Sequence, residues 1–314
     1  MLSRIANSLF WMGRYIERAE HLARYTKVQY ISSLDAPIAQ KMEFVLESIL
    51  DFSGVINEYE KKSSRLIEEE VMQYMILNDE NPYSICSSVS YARENARGAR
   101  DTISSELWES LNKYYHFVND TNEKHLATTG PYEFSEKILE YSSVVKGYID
   151  NTLIQNEVWD FINLGIHLER SIQIARIIVA KINDIDKLKR LKSDETVINY
   201  QWGILLKSAE SFDMSRKFYK ALPNKTNTLE FMILNPSFPK SINFNLDKAY
   251  KILHDLSKSN VEDKDSLEFK VGKISSTYKY LTVTEVESKL TQFLTETVSN
   301  IYDLADAIEE KYLN

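Results

Sequence analysis

Glu17 and His21 stand four residues apart, and a carboxylate one helical turn from an imidazole could do acid–base work. For that role burial must raise the proton affinity of the glutamate, and the histidine must relay the proton. Glu17 and His21 are therefore the catalytic candidates. Around them stand Gly13, Arg14, Arg18, Glu20 and Arg24. In a helix, Gly13, Glu17 and Arg24 share one face, and the glycine lets a second helix approach closely. Arg14, His21 and Arg24 fall within helical reach of Glu17 or Glu20, with Glu20–Arg24 at the favourable i,i+4 spacing. Glu17 and Arg18 are neighbours that point in different directions, so they cannot pair with each other. The same residues equally suit an ion-pair network that sets helix register, or a ligand site.

A second cluster is Arg93, Glu94, Asn95, Arg97 and Arg100. Its arginines fall at i, i+4 and i+7, which makes one cationic helical face. Guanidinium groups at that spacing suit bidentate binding of a carboxylate or phosphate. The ligand- or partner-binding candidates are therefore Arg14, Glu17, Arg18, Arg24, Arg93, Glu94, Asn95, Arg97 and Arg100. Pairing of the arginine face with Glu17 and Glu20 is the alternative. A lone Cys86 rules out an intramolecular disulfide and a thiolate zinc site. No metal site and no cofactor are expected.

The elements that must position these residues are helices. Eight Gly and six Pro in 314 residues leave little to interrupt them. Helices are expected over 3–32, from the Asp35-Ala36-Pro37 start to Gly54, and over 64–77, 84–101, 105–118, 132–154 and 157–183. Others follow from Asp194 to the break at Pro223, over 241–258 and over 283–312. Residues 119–131, with Gly130-Pro131, are expected as a linker, and Val271–Val283 is the one strand-like stretch.

Two blocks recur. Met75-Ile76-Leu77-Asn78 returns as Met232-Ile233-Leu234-Asn235, and seven of the eleven positions from 75 to 85 match those 157 residues later. Gly13, Glu17, Arg18, Ala23 and Arg24 return as Gly165, Glu169, Arg170, Ala175 and Arg176, 152 residues later. Within the second block Glu169, Arg170 and Arg176 are expected to be structural counterparts. Pro82-Tyr83-Ser84 and Pro239-Lys240-Ser241 read as helix starts with Ser as N-cap. The expected fold is an all-α, multi-helix bundle of two tandem, diverged repeats, 1–130 and 131–314, packed around a shared core. Arg93, Arg97 and Arg100 have no counterpart in the second copy, which makes that face the better functional candidate.

The net charge of −8 disfavours binding to nucleic acid or to an anionic membrane surface. No apolar run approaches a membrane span and the N-terminal stretch is not a secretory signal, so a cytoplasmic protein is expected. The sequence leaves the oligomeric state open.

Leu2-Ser3-Arg4, the run Trp11 to Glu20, Asn81-Pro82-x-Ser84-Ile85, Ala92 to Arg97 and Glu106-Leu107-Trp108-Glu109 together resemble the alpha-E domain family. The resemblance covers nearly the whole chain. It implies a bacterial helical protein without an established reaction, associated with ATP-grasp amide ligases and transglutaminase-like peptidases. It therefore implies an accessory protein that binds such a partner or an anionic peptide-like ligand. The alternative is an enzyme acting on an anionic amino-acid or peptide substrate through Glu17. The chain departs from the family pattern at His21, where Asn is expected, at Lys240, where Arg is expected, and at Ile172, where an acid is expected. The phosphate loop and magnesium carboxylates of a ligase are not recognisable in it.

Overall fold

Two long helices, α1 (Ser3–Asp35) and α8 (Glu157–Arg190), set the frame of this computed structural model, which describes residues 1–35, 42–257, 264 and 266–313. α8 is apolar on nearly every side, with Ile162, Leu164, Leu168, Ile172, Ile174, Ile177 and Ile178 all buried. A helix of that kind must lie in the interior. It runs alongside α1 in the same direction: Phe10 meets Gly165, Arg18 meets Glu169 and Gln29 meets Lys181.

The other helices surround this pair. α2 (Met42–Ser53), α5 (Ile85–Gly98) and α7 (Glu123–Thr152) pack on α1, and α6 (Ser105–Asn119) joins α5 to α7. α9 (Glu195–Ser208), α12 (Ile242–Ser257) and α15 (Leu290–Ile308) pack on α8, and α13 (Leu267–Tyr280) joins α12 to α15. Shorter helices fill the connections: α3 (Ile56–Lys62), α4 (Glu68–Ile76), α10 (Phe212–Tyr219), α11 (Lys225–Leu229) and α14 (Val283–Ser288). One continuous apolar cluster runs from α1 to α15. Among the described residues there is no strand, and no helix is long and apolar enough to cross a membrane.

The Pro-x-Ser helix starts form as the spacing predicts. Ser84 Oγ accepts from Ser87 N at 3.0 Å to cap α5, and Ser241 Oγ accepts from Phe244 N at 3.1 Å at the start of α12. Other expectations need correction. The strand-like stretch Val271–Val283 is helical through Tyr280, because Val271 and Tyr278 are buried at helical spacing against the neighbouring elements. The expected linker 119–131 is helical from Glu123 and is bent at Gly130 (φ 81°), just before Pro131. The helix from Asp194 stops at Ser208, and Glu210 (φ 56°) turns the chain into α10. The terminal helix divides at Lys289 into α14 and α15. The expected start at 36–37 lies outside the described residues.

α1 and α8 touch through their backbones. A Cβ on Gly13 would collide with the carbonyl oxygen of Ile162, and one on Gly165 with that of Phe10. The contact is reciprocal, since Ile162 follows Phe10 by the same 152 residues that separate the two glycines. Neither backbone can retreat without opening the core. Gly13→Ala is expected to cost about 3 kcal/mol. Gly147→Ala on α7 has no neighbour within 4 Å of the added carbon, and it should stabilise by about 0.5–1 kcal/mol. Urea denaturation of both variants checks the contrast; equal effects would mean that the close approach does not constrain the fold.

Candidate functional site

One turn beyond the glycines, α1 and α8 bury their Glu-Arg dipeptides against each other. Adjacent helical residues project about 100° apart, so neither dipeptide can close on itself. The pairs form crosswise instead. Arg18 Nε donates to Glu169 Oε1 at 2.8 Å and its Nη2 to Oε2 at 3.2 Å. Arg170 Nε donates to Glu17 Oε1 at 2.5 Å and its Nη2 to Oε2 at 3.0 Å. Both are two-pronged contacts, the geometry in which guanidinium and carboxylate bind most strongly. Each carboxylate also takes a donor from its own helix four residues on: His21 Nε2 at 3.0 Å from Glu17, and Gln173 Nε2 at 2.8 Å from Glu169.

Further cations complete the seam. Arg14 Nε donates to Glu169 at 2.8 Å. Lys146, from α7, donates to both Glu17 and Glu20. Lys240, from the loop before α12, reaches Glu20 at 2.8 Å, and Arg24 reaches it at 3.4 Å. Glu210, held by its left-handed backbone, lies over the edge and contacts Arg24 at 3.1 Å and Lys240 at 3.3 Å. Six cations thus meet four carboxylates, an excess of positive charge in a largely buried place.

Burial alone would raise the proton affinity of Glu17. The charges of Arg170 and Lys146 and the His21 hydrogen bond overcome it and hold the carboxyl well below the usual range. Burial likewise opposes ionisation of Glu20 and of Glu169. Lys146 and Lys240 hold the first ionised, and Arg18 and Arg14 hold the second. Burial pushes His21 the other way, towards the neutral ring, against the pull of Glu17. Its Nε2 therefore carries the proton that Glu17 accepts, and its enclosed Nδ1 has no hydrogen-bond partner among the described residues. A carboxylate saturated with donors and held ionised has lost the proton affinity that general acid–base catalysis requires.

Crosswise pairing of two Glu-Arg dipeptides, the only two in the chain, coincides with a family match over residues 1–313 to Alpha-E, described as a predicted alpha-helical domain with a conserved ER motif. The chain belongs to the Alpha-E family. It is 21% identical over 273 residues to an uncharacterized protein of Mycobacterium bovis, covering 82% of this chain and 30% of that protein. Uncharacterized proteins of two Mycobacterium tuberculosis strains match over the same span at 21% and 20% identity, again with 82% and 30% coverage. The Alpha-E chain thus spans less than a third of the length of these curated relatives. No solved structure matches it.

Of the expected site residues, Arg14, Glu17, Arg18, His21, Arg24, Glu169 and Arg170 converge in the seam. Arg176 lies to one side, where its Nη2 donates to the Tyr302 hydroxyl at 2.9 Å and its guanidinium faces the Tyr83 ring at 6.0 Å. The α5 arginines do not join Glu17 or Glu20. Arg93 bonds Asn112 Oδ1 at 3.1 Å and Glu94 at 2.5 Å, beneath the rings of Trp108 and Tyr115. Arg97 pairs with Glu94 at 2.8 Å and is 65% exposed. Arg100 contacts the Ile103 carbonyl and Ser105 Oγ at 3.4 Å, and Asn95 caps the Tyr91 carbonyl at 2.8 Å. Lys146, Lys240 and Glu210 were missed by sequence reasoning. Only Lys240 carried a signal, as the variable position of the second Pro-x-Ser loop. Among the described residues no group of His, Cys, Asp and Glu is placed to hold a metal.

Two predictions follow the geometry. A double-mutant cycle on Glu17 and Arg170 should give a coupling of about 3 kcal/mol or more, since either single change strands a buried charge. The exposed Glu94–Arg97 pair should couple by less than about 0.5 kcal/mol. The second concerns pH. Burial and the Arg170 charge push His167 down to about 4 from an ordinary 6.5. A depressed histidine contributes stability that is complete above 6.5 and is lost as pH falls towards 4, here about 3 kcal/mol. The depressed glutamates lose their contribution only below their ordinary value of about 4.3. Urea denaturation between pH 7 and 4 should therefore show a decline that His167→Gln makes shallower. An unchanged slope would mean that His167 is not held neutral.

Proposed function

We propose that this Alpha-E chain is a non-catalytic binding protein built from two diverged copies of one helical unit, accessory to an ATP-grasp amide ligase or a peptide-modifying system in the cytoplasm. One observation carries the reading: the glutamates best suited to acid–base chemistry are saturated with partners and held ionised at the centre of the fold, and burial holds the His21 ring beside them towards the neutral form. Their work is to lock two helices in register. Function then falls to the rims.

The duplication is supported by the recurring sequence blocks, the reciprocal glycine contacts and the crosswise Glu-Arg pairs. It is also supported by matched packing, since α5 and α7 stand to α1 as α12 and α15 stand to α8. The boundary between the copies then falls near 153–156, after α7, rather than near 130. The choice of partner is supported by the resemblance of the sequence to a family associated with ATP-grasp ligases and transglutaminase-like peptidases. The α5–α6 face supplies a surface for it: Tyr91 is 40% exposed beside Arg97 and Glu94, and it has no counterpart on α12.

Affinity capture of the tagged chain from the lysate of its own organism tests the reading. A near-stoichiometric ATP-grasp or transglutaminase-like protein, lost with Arg97→Glu while the melting temperature stays within about 2 °C, is the expected result. Turnover of a peptide or amino-acid substrate by the purified chain, abolished by a folded Glu17→Gln variant, would overturn it.

A further inference from the structure

Large apolar side chains stand well out of the surface in one short stretch. Met214, Phe218 and Leu222 are 44%, 64% and 77% exposed, so exposure rises along the chain towards the turn at Pro223. Met214 and Phe218, four apart on α10, share one of its faces. The Phe218 ring lies 4.9 Å from Tyr219 and 5.9 Å from Phe231, which holds it in place although most of it stays in water. Lys220 (φ 52°) ends α10 in the left-handed conformation, and the chain passes on to Leu222. Covering this apolar area would be favourable, and among the described residues nothing does so.

The charges around the tip run against those of the whole chain. Lys207, Arg216, Lys217 and Lys220 are exposed and form no ion pair among the described residues. Lys207 and Arg216 face the Phe212 ring at 5.4 and 5.6 Å, which brings the α9 cation to the same surface. Asp213 is the one acid on α10. The acids on adjoining elements are engaged: Glu210 with Arg24 and Lys240, Glu230 with the Tyr219 hydroxyl, and Glu287 with Lys225 and Thr226. A chain of net charge −8 thus gathers four unpaired cations about an exposed apolar tip.

The partner must offer negative charge and an apolar phase together. Nucleic acid would use the cations and stack on Phe218, but it gives Met214 and Leu222 nothing to enter. An apolar protein pocket must match a protruding shape, whereas a lipid surface yields to it. Anionic headgroups meet the cations, the acyl boundary takes Phe, Leu and Met, and long basic side chains reach past them to the headgroups. We infer that the α10 tip docks this protein onto an anionic lipid surface, with Phe218 and Leu222 entering the acyl boundary and Lys207, Arg216, Lys217 and Lys220 at the headgroups. The expectation drawn from net charge is reversed at this corner. The inference goes beyond the accessory reading and uses a surface separate from the α5–α6 face, so lipid docking and partner capture stand or fall independently.

Flotation of the intact chain with vesicles tests it. Vesicles of phosphatidylcholine and phosphatidylglycerol in equal parts should float the protein at low salt, and phosphatidylcholine alone should not. Phe218→Ser combined with Leu222→Ser should weaken binding about tenfold or more, and so should Lys217→Glu combined with Lys220→Glu. All four changes are at exposed positions, and the melting temperature should stay within about 2 °C of the parent. Phe218→Trp should keep the binding, because indole suits the interface. No flotation with the anionic vesicles, equal flotation with phosphatidylcholine alone, or full binding by the Phe218→Ser, Leu222→Ser variant overturns the inference. A protein captured by the chain and lost with that variant would then take the place of the lipid.

Discussion

The contact on which the rest depends is the backbone-to-backbone approach of α1 and α8 at Gly13 and Gly165. Helices that meet without intervening Cβ atoms bring their next turns within side-chain reach, and what stands one turn on is a carboxylate in each helix. At that depth an unpaired charge costs several kcal/mol. Pairing within each dipeptide is excluded by the angular offset of adjacent residues, and each of the two glutamates takes its two-pronged guanidinium from the other helix. That requirement is met in one register only, with the helices parallel and the two dipeptides level. The charges therefore contribute specificity of alignment more than net stability. Apolar residues in the same places would pack as well while tolerating a slip of a turn.

The two carboxylates occupy equivalent frames with different surroundings. Glu169 lies among stacked cations and rings: Arg14 over Trp11 at 4.6 Å, and Arg18 between Tyr15 and Tyr83 at 5.3 and 5.6 Å. Its neighbourhood is enclosed by aromatic faces that stabilise guanidinium and exclude water. Glu17 instead shares its side with Glu20, Lys146, Lys240 and Glu210, a wetter and more highly charged edge that opens towards a cavity between α7, α8 and α12. Substitutions at four equivalent positions separate the two: Glu20 against Ile172, His21 against Gln173, Tyr83 against Lys240, and the Arg93 turn against Tyr250. One half keeps the lock and seals it. In the other half the lock adjoins an open surface.

How much of this was legible in the sequence depends on the range of the interaction. Local signals held: the Ser84 and Ser241 caps, the apolar stripe of α8 and the glycine one turn before each glutamate all act within a few residues, and each appears where its spacing places it. Signals of composition failed where tertiary packing overrode them. Val271, Ile274, Tyr278 and Tyr280 favour strand by type, yet they lie in a helix that carries Val271 and Tyr278 into the core. Gly130-Pro131 reads as a linker, yet it only bends a helix that continues past it. Lys146 was invisible because it lies more than a hundred residues from the carboxylates it meets, and a lysine looks the same in sequence whatever it faces; Lys240 stood out only as the variable position of its loop, with nothing to name Glu20 as its partner. Glu210 was hidden for a different reason, since its placement depends on a left-handed backbone in a residue that seldom adopts it.

A third polar layer lies further along the same pair of helices. Lys181, wholly buried, donates to Asp184 at 2.6 Å and to Gln29 Oε1 at 2.7 Å, and Asp184 accepts from Ser48, which bonds the Tyr25 hydroxyl at 2.7 Å. Gln29 and Lys181 are again 152 apart, so the same frame here holds an amide facing an ammonium. Burial pulls Lys181 towards neutrality and Asp184 opposes it. The middle of the bundle thus repeats one solution from end to end, a polar residue on each helix matched by a partner across the seam. A protein that spends its best acids, bases and cations on holding two helices level has fixed their positions tightly, and a fixed frame lowers the ordering cost of whatever docks on its rims.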